Sequence, residues 1–141
     1  MIIQIASAFF ATLFFSVIFN IARHHLLYCG ITGAIGWAFY LTSLSHTNSV
    51  VFSSFIGALA VTSVSQVLAK RKKTPVTVFL ITGIIPLVPG AGMYQTVYHI
   101  LIQDYGLASH YGIQTFQIAG VISIAIILLD TFNKLIYQKR Q

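Results

Sequence analysis

The chain has 141 residues, 57% of them hydrophobic and only 7% charged, with a mean hydropathy of +0.85. Soluble domains carry about 25% charged residues, so this composition cannot make a water-facing surface, and in lipid the length is counted in spans of about 20 apolar residues. The formal charge of +6 sets eight Lys and Arg against only Asp104 and Asp130, but the basic residues cluster at the ends of apolar segments, which speaks for membrane orientation and against a nucleic-acid partner.

In chain order, the first apolar segment runs over residues 2–21 and stops at Arg23-His24-His25. It has no basic region ahead of it and is too long for a signal-peptide core, so it is read as a retained first span. The second, residues 26–44, is lighter, with Gly30, Gly33, Ala34, Gly36 and Ala38, and ends in Ser45-His46-Thr47-Asn48. Its Cys29 is the single cysteine of the chain, which rules out an intramolecular disulfide and points to packing. The third, residues 50–69, stops at Lys70-Arg71-Lys72-Lys73. A fourth covers residues 76–102, entered at Pro75, a favoured first-turn residue, and interrupted at residues 86–92. After a connection over residues 103–112 the fifth covers 113–137 and ends in Lys139-Arg140.

The expected fold is therefore an all-α integral membrane protein, a single domain of about five spans. With the amino terminus outside and the carboxyl terminus in the cytoplasm, all eight basic residues fall on the cytoplasmic side, as short loops require. An odd number of spans puts the termini on opposite sides, so pairing with a five-span relative implies inversion, the arrangement of many secondary transporters.

The most specific signal is Pro86-Leu87-Val88-Pro89-Gly90-Ala91-Gly92 within a span. Each proline removes a helical N–H donor and clashes with the preceding turn, while Gly90 and Gly92 permit non-helical dihedrals, so the helix should break. Backbone freed at membrane depth survives only where it is buried or lines a cavity. A half-helix starting near Ala91 would aim its unpaired amides into the membrane, a place for a carboxylate. The competing reading is a kink repaired by neighbouring helices, but two prolines and two glycines favour a functional break, and Gly90→Leu is expected to remove activity without affecting insertion.

Beyond the break, Tyr94, Gln95, Tyr98 and His99 fall on neighbouring turns, and Gln95 and His99 share a face. Substrate contacts are assigned to Pro86, Pro89, Gly90, Ala91, Gly92, Tyr94 and Gln95. His99 is a candidate for proton coupling or, equally, an interfacial anchor. Asp130, the only acid inside a span, is a second such candidate, against which Lys134 four residues on supplies an ion pair at a helix end. Asn20 is either a packing residue or a cavity-lining one. The small-residue faces of the second span and of Ser54, Gly57, Ala58 and Ala60 in the third mark an inner scaffold, whereas Phe9, Phe10, Phe14, Phe15 and Phe19 mark the first span as lipid-exposed.

No catalytic signature is present: no Ser–His–Asp spacing, HExxH, phosphate loop or carboxylate pair. His24-His25 beside Arg23 lacks the further ligands of a zinc site, and nothing calls for a metal or cofactor.

Phe19-Asn20, Gly33-Ala34-Ile35-Gly36, then Ile85-Pro86-Leu87-Val88-Pro89-Gly90 and a following Tyr94 resemble, in this order, the threonine/serine exporter family. The resemblance covers nearly the whole chain and is closest to short members equivalent to the carboxyl-terminal half of the long exporters. It implies proton-motive-force-driven export of threonine and serine, or of a dicarboxylate such as succinate, from a bacterial cell across its plasma membrane. It further implies a larger membrane subunit equivalent to the amino-terminal half. The rival expectation is a homo-oligomeric channel or scaffold without active transport.

Overall fold

The computed structural model describes residues 1–138, and the side chains of residues 1–135. Lys139 and Arg140, used above for orientation, lie outside the described residues. Helix α1 covers Ile2–Ile18, α2 Arg23–Thr47, α3 Val50–Lys72 and α4 Val76–Ile84. A 3₁₀ turn at Ile85–Leu87 leads into α5, Gly90–Leu101, and α6 covers Tyr105–Gln138. Among the described residues there is no strand, as the composition leads one to expect.

Helices α2, α3 and α6 are each long and apolar enough to cross a membrane. Helices α4 and α5 pass the same test only as a pair, bent by 50° at the break. Helix α1, with 17 residues, is at the short limit for a span.

Several boundaries differ from the hydropathy reading. Helix α2 takes in Arg23–His25 at its start and Ser45–Thr47 at its end, and α3 runs on through Lys70–Lys72. Lys and Arg are good helix formers and hold the backbone helical after the apolar run has ended. The largest difference is in the last connection, expected over residues 103–112. There α6 begins at Tyr105, because Asp104 is its N-cap: its Oδ1 accepts from the Leu107 amide at 3.1 Å and its carbonyl from that of Ala108 at 3.0 Å. Gly106 and Gly112, which suggest a loop, are helical, and Gly112 instead lets Thr96 of α5 approach.

Asn20, Asn48, Lys73 and Gln103, one in each of the four short connections, have φ between 51° and 62°. This left-handed residue ends each preceding helix and reverses the chain, a position that asparagine tolerates well. Asn20 is thus an exposed turn residue, which corrects the expectation that it packs in the core or lines a cavity.

Helix α3 is the centre of the bundle, with α2, α4 and α6 around it; α1 lies mainly on α2, and among the described residues α5 packs on α6 alone. The small-residue faces create the closest approaches. A Cβ placed on Gly57 would meet the Gly36 carbonyl at 3.1 Å and Leu87 Cδ2 at 3.0 Å, so α2, α3 and the 3₁₀ turn converge at that glycine. Gly33 admits Thr12 of α1, and Gly30 admits the Phe9 ring. Phe9 is thereby half-buried against α2, unlike Phe10, Phe14, Phe15 and Phe19, which are exposed as expected of a lipid-facing helix. Cys29 is buried beside Phe79, with its Sγ 3.7 Å from the Val78 carbonyl, a packing position.

The interior is rich in hydroxyls. Thr12, Ser16, Thr32, Ser53, Ser54, Thr62 and Thr82 are buried, and each donates to the carbonyl four residues back in its own helix at 2.7 to 3.0 Å. They are satisfied without bridging helices.

Bridges gather instead at one end, where Lys72 Nζ donates to Tyr28 Oη at 2.7 Å and Thr74 Oγ1 lies 3.1 Å from His25 Nε2. There Asn133 of α6 donates to Gln66 of α3 and accepts from Lys70 at 3.3 Å. The six described Lys and Arg side chains, Arg23, Lys70–Lys73 and Lys134, all belong to this end. Replacing Asn133 with leucine removes two of these bonds and is expected to destabilise the α3–α6 pair by about 1 kcal/mol, within the range for interhelical bonds in membranes. Thermal unfolding in detergent, compared with the parent, measures it.

Candidate solute site at the helix break

Two prolines shape the break. Pro86 has no N–H to offer Thr82, so α4 tightens into a 3₁₀ turn. Val88, which precedes Pro89, is pushed to an extended conformation with ψ 130°. Pro89 follows at φ −76°, ψ 55°, and the Gly90 amide bonds to the Val88 carbonyl at 2.7 Å, an inverse γ-turn. The expectation that Gly90 and Gly92 would supply non-helical dihedrals is corrected: no glycine has a positive φ, and both lie in the first turn of α5. What they supply is space. A Cβ on Gly92 would collide with Thr115 of α6, whereas one on Gly90 meets nothing within 4 Å.

Gly90 faces open space because a cavity of about 430 Å³ lies at the break. Leu87, Val88 and the two prolines form one wall, and Gly90, Ala91, Gly92 and Gln95 of α5 the next. Tyr111, Gln114, Thr115 and Ile118 come from α6, Trp37 and Tyr40 from α2, and Val50 and Ser54 from α3. The volume falls in the range of small-molecule sites, about 300 to 1,000 Å³. No Asp, Glu, Lys, Arg or His lines it.

The polarity comes from neutral groups. Pro89 has no side chain able to cap α5, so the amides of Ala91 and Gly92 remain as orphans of its first turn, with the positive end of the helix dipole behind them. Helix α3 also starts at this cavity, but Ser49 caps it by accepting from the Phe52 amide at 3.4 Å. Trp37 Nε1 and Thr115 Oγ1 are buried without a hydrogen-bond partner. Leaving a buried donor unpaired costs about 1 to 3 kcal/mol. Among the described residues no three His, Cys, Asp or Glu side chains gather as metal ligands.

Of the residues singled out in the sequence, Pro86, Pro89, Gly90, Ala91, Gly92 and Gln95 line the cavity and Tyr94 does not. Tyr94 is 66% exposed, on the outer face of α5, its ring 6.1 Å from that of Tyr98. His99 lies one turn beyond Gln95. Its ring stacks on Tyr111 at 5.5 Å and 13°, and its Nδ1 is 4.0 Å from Asp104 Oδ2, so one side chain separates it from the cavity. Asp130 is remote from the cavity, exposed on α6 and paired with Lys134 at 2.7 Å.

Trp37, Tyr40, Tyr111, Gln114 and Thr115 were not anticipated. The signal for the first two is an aromatic pair three residues apart in an otherwise small-residue span. For the last two it is a polar pair at the head of an apolar run. Tyr111 was hidden by the misplaced start of α6.

A comparison with known protein families matches residues 4–132 to the threonine/serine exporter family, ThrE. The chain belongs to that family. Its work is accordingly membrane transport of the exporter type, and Pro86–Gly90 of the motif that carries the resemblance lines the cavity at the break. No solved structure matches the chain.

Proposed function

We propose that this chain is the membrane subunit of a secondary exporter whose substrate, a small solute bearing a carboxylate, passes through the cavity at the helix break. The solute is threonine or serine, or a dicarboxylate such as succinate. The observation that carries this reading is the uncapped start of α5 in a cavity free of charged side chains. A carboxylate there meets two free amides and the helix dipole. Where water is excluded these neutral donors hold an anion without fixing a counter-charge beside it, so release needs only that the cavity change shape.

The gathering of basic side chains at one end supports five spans with that end in the cytoplasm and the amino terminus outside. A bacterial plasma membrane, a proton gradient as driving force and a larger partner subunit complete the proposal. For proton coupling, His99 is the better placed of the two candidates, because its stack on Tyr111 reaches a cavity wall. Asp130 is accounted for by its ion pair.

The test is efflux of labelled threonine, serine and succinate from preloaded cells, with this chain and its partner deleted singly and together. Efflux of at least one solute is expected to fall in each deletion and return on complementation. Equal efflux in every strain, with the protein confirmed in the parent, would overturn the proposal. Purification of the chain as a homo-oligomer with no larger subunit would turn the reading towards a channel.

A further inference from the structure

Resting on the reading just given, we propose that Trp37, Tyr40 and Tyr111 determine specificity: they form an aromatic wall that receives the cationic end of the solute. The site then takes a zwitterion, one carboxylate with one ammonium, in preference to a dicarboxylate.

The cavity is asymmetric in what it offers. Anion-binding groups are concentrated at the head of α5, where the Ala91 and Gly92 amides lie. A second carboxylate would need a second such place. The other helix that starts here, α3, already has its first turn capped by Ser49, and no Lys, Arg or His lines the cavity. What remains is aromatic. The rings of Trp37 and Tyr40 stack at 4.8 Å and 26°, and Tyr111 comes from α6, a different wall.

Trp37 and Tyr40 cover one face of each other and His99 covers one face of Tyr111, and the remaining electron-rich ring surface suits an ammonium group, which is attracted to a ring face most strongly when it has lost its water. Acceptors are at hand in the tyrosine hydroxyls and in the side-chain carbonyls of Gln95 and Gln114, able to take the N–H donors that the faces do not. A carboxylate against the same faces is repelled, because the ring quadrupole presents its negative side. Charge recognition by neutral groups thus separates the two ends of one small molecule.

Trp37 is the only tryptophan in the chain and lines this cavity as well as a shallower hollow against α1, so its emission reports on binding beside it, and the Tyr40 and Tyr111 variants below locate that binding. The experiment titrates the purified full-length chain in lipid nanodiscs with L-serine, N-acetyl-L-serine and succinate. N-acetylation keeps the carboxylate and hydroxyl and removes the ammonium. L-serine is expected to change the emission saturably, and N-acetyl-L-serine and succinate to bind about tenfold more weakly or worse, the scale of a desolvated cation–π contact.

Tyr111→Leu and Tyr40→Leu, which keep Trp37 as reporter, are each expected to narrow the ratio between L-serine and N-acetyl-L-serine. A merely structural disturbance would weaken both ligands alike and leave the ratio unchanged. The wild-type comparison stands even if neither variant folds. Equal binding of all three ligands, or tightest binding of succinate, would overturn the aromatic-wall assignment while leaving the carboxylate site at α5 in place. Silence towards all three would remove the cavity as a solute site, and this inference with it.

Discussion

Gly90→Leu is expected to slow efflux on the order of a hundredfold while the protein reaches the membrane at the parental level. Of the two glycines in the break, Gly90 is the one where an added Cβ meets nothing within 4 Å, and it lines the cavity. Leucine is a better helix former than glycine, so the first turn of α5 loses nothing in stability. The isobutyl group instead occupies the region in front of the free amides, where a displacement of the solute by about 1 Å already costs on the order of a hundredfold in rate. The control is Gly92→Leu, which drives into Thr115, separates α5 from its only packing partner and is expected to lower abundance as well. Efflux per unit of membrane protein, measured in the same cells, distinguishes blockage from misfolding. Parental efflux from Gly90→Leu at equal abundance would show that the solute does not pass this way.

Gly57→Leu is expected to leave no stable protein. Even Gly57→Ala forces contact with the Gly36 carbonyl and Leu87, at a cost of about 1 to 3 kcal/mol. Valine and leucine should worsen it in order of size, because a backbone oxygen cannot move aside as a side-chain tip can. Leu87 belongs to the 3₁₀ turn, so the strain reaches the break as well as the α2–α3 contact. Detergent-solubilised yield and thermal midpoint, read across the series Ala, Val and Leu, measure the effect. A flat series would mean that the three elements do not converge there.

The long apolar runs made the class of the fold legible, because nothing else satisfies 57% hydrophobic composition with so few charges. The break was legible too, since Pro86 and Pro89 act locally, through a missing donor and a clash with the preceding turn. The conformation of the glycines was not. Gly90 and Gly92 sit in ordinary helix, and what they contribute, room for a neighbour or a solute, depends on what stands opposite in space. The start of α6 went unread because Gly106 and Gly112 outweighed Asp104, whose capping role needs only the residue and the three after it.

The far walls of the site were illegible for a different reason. Trp37 and Thr115 are 78 positions apart and meet only through the packing of α2, α3 and α6 around one cavity. Tyr94 shows the converse: it has the right chemistry one turn from the right place, but faces outward.

The side-chain hydrogen bonds of the interior carry one more consequence. Seven of its buried hydroxyls turn back on their own helices, and among the described residues the bonds that tie distant helices lie at the lysine-rich end. The other end has the local Thr47–Ser53 contact across one turn and the His99–Asp104 approach across another, and otherwise fits by shape. A bundle knotted at its base and merely nested at its mouth behaves like tongs. Spreading the mouth breaks no cross-link, and the fulcrum is already built.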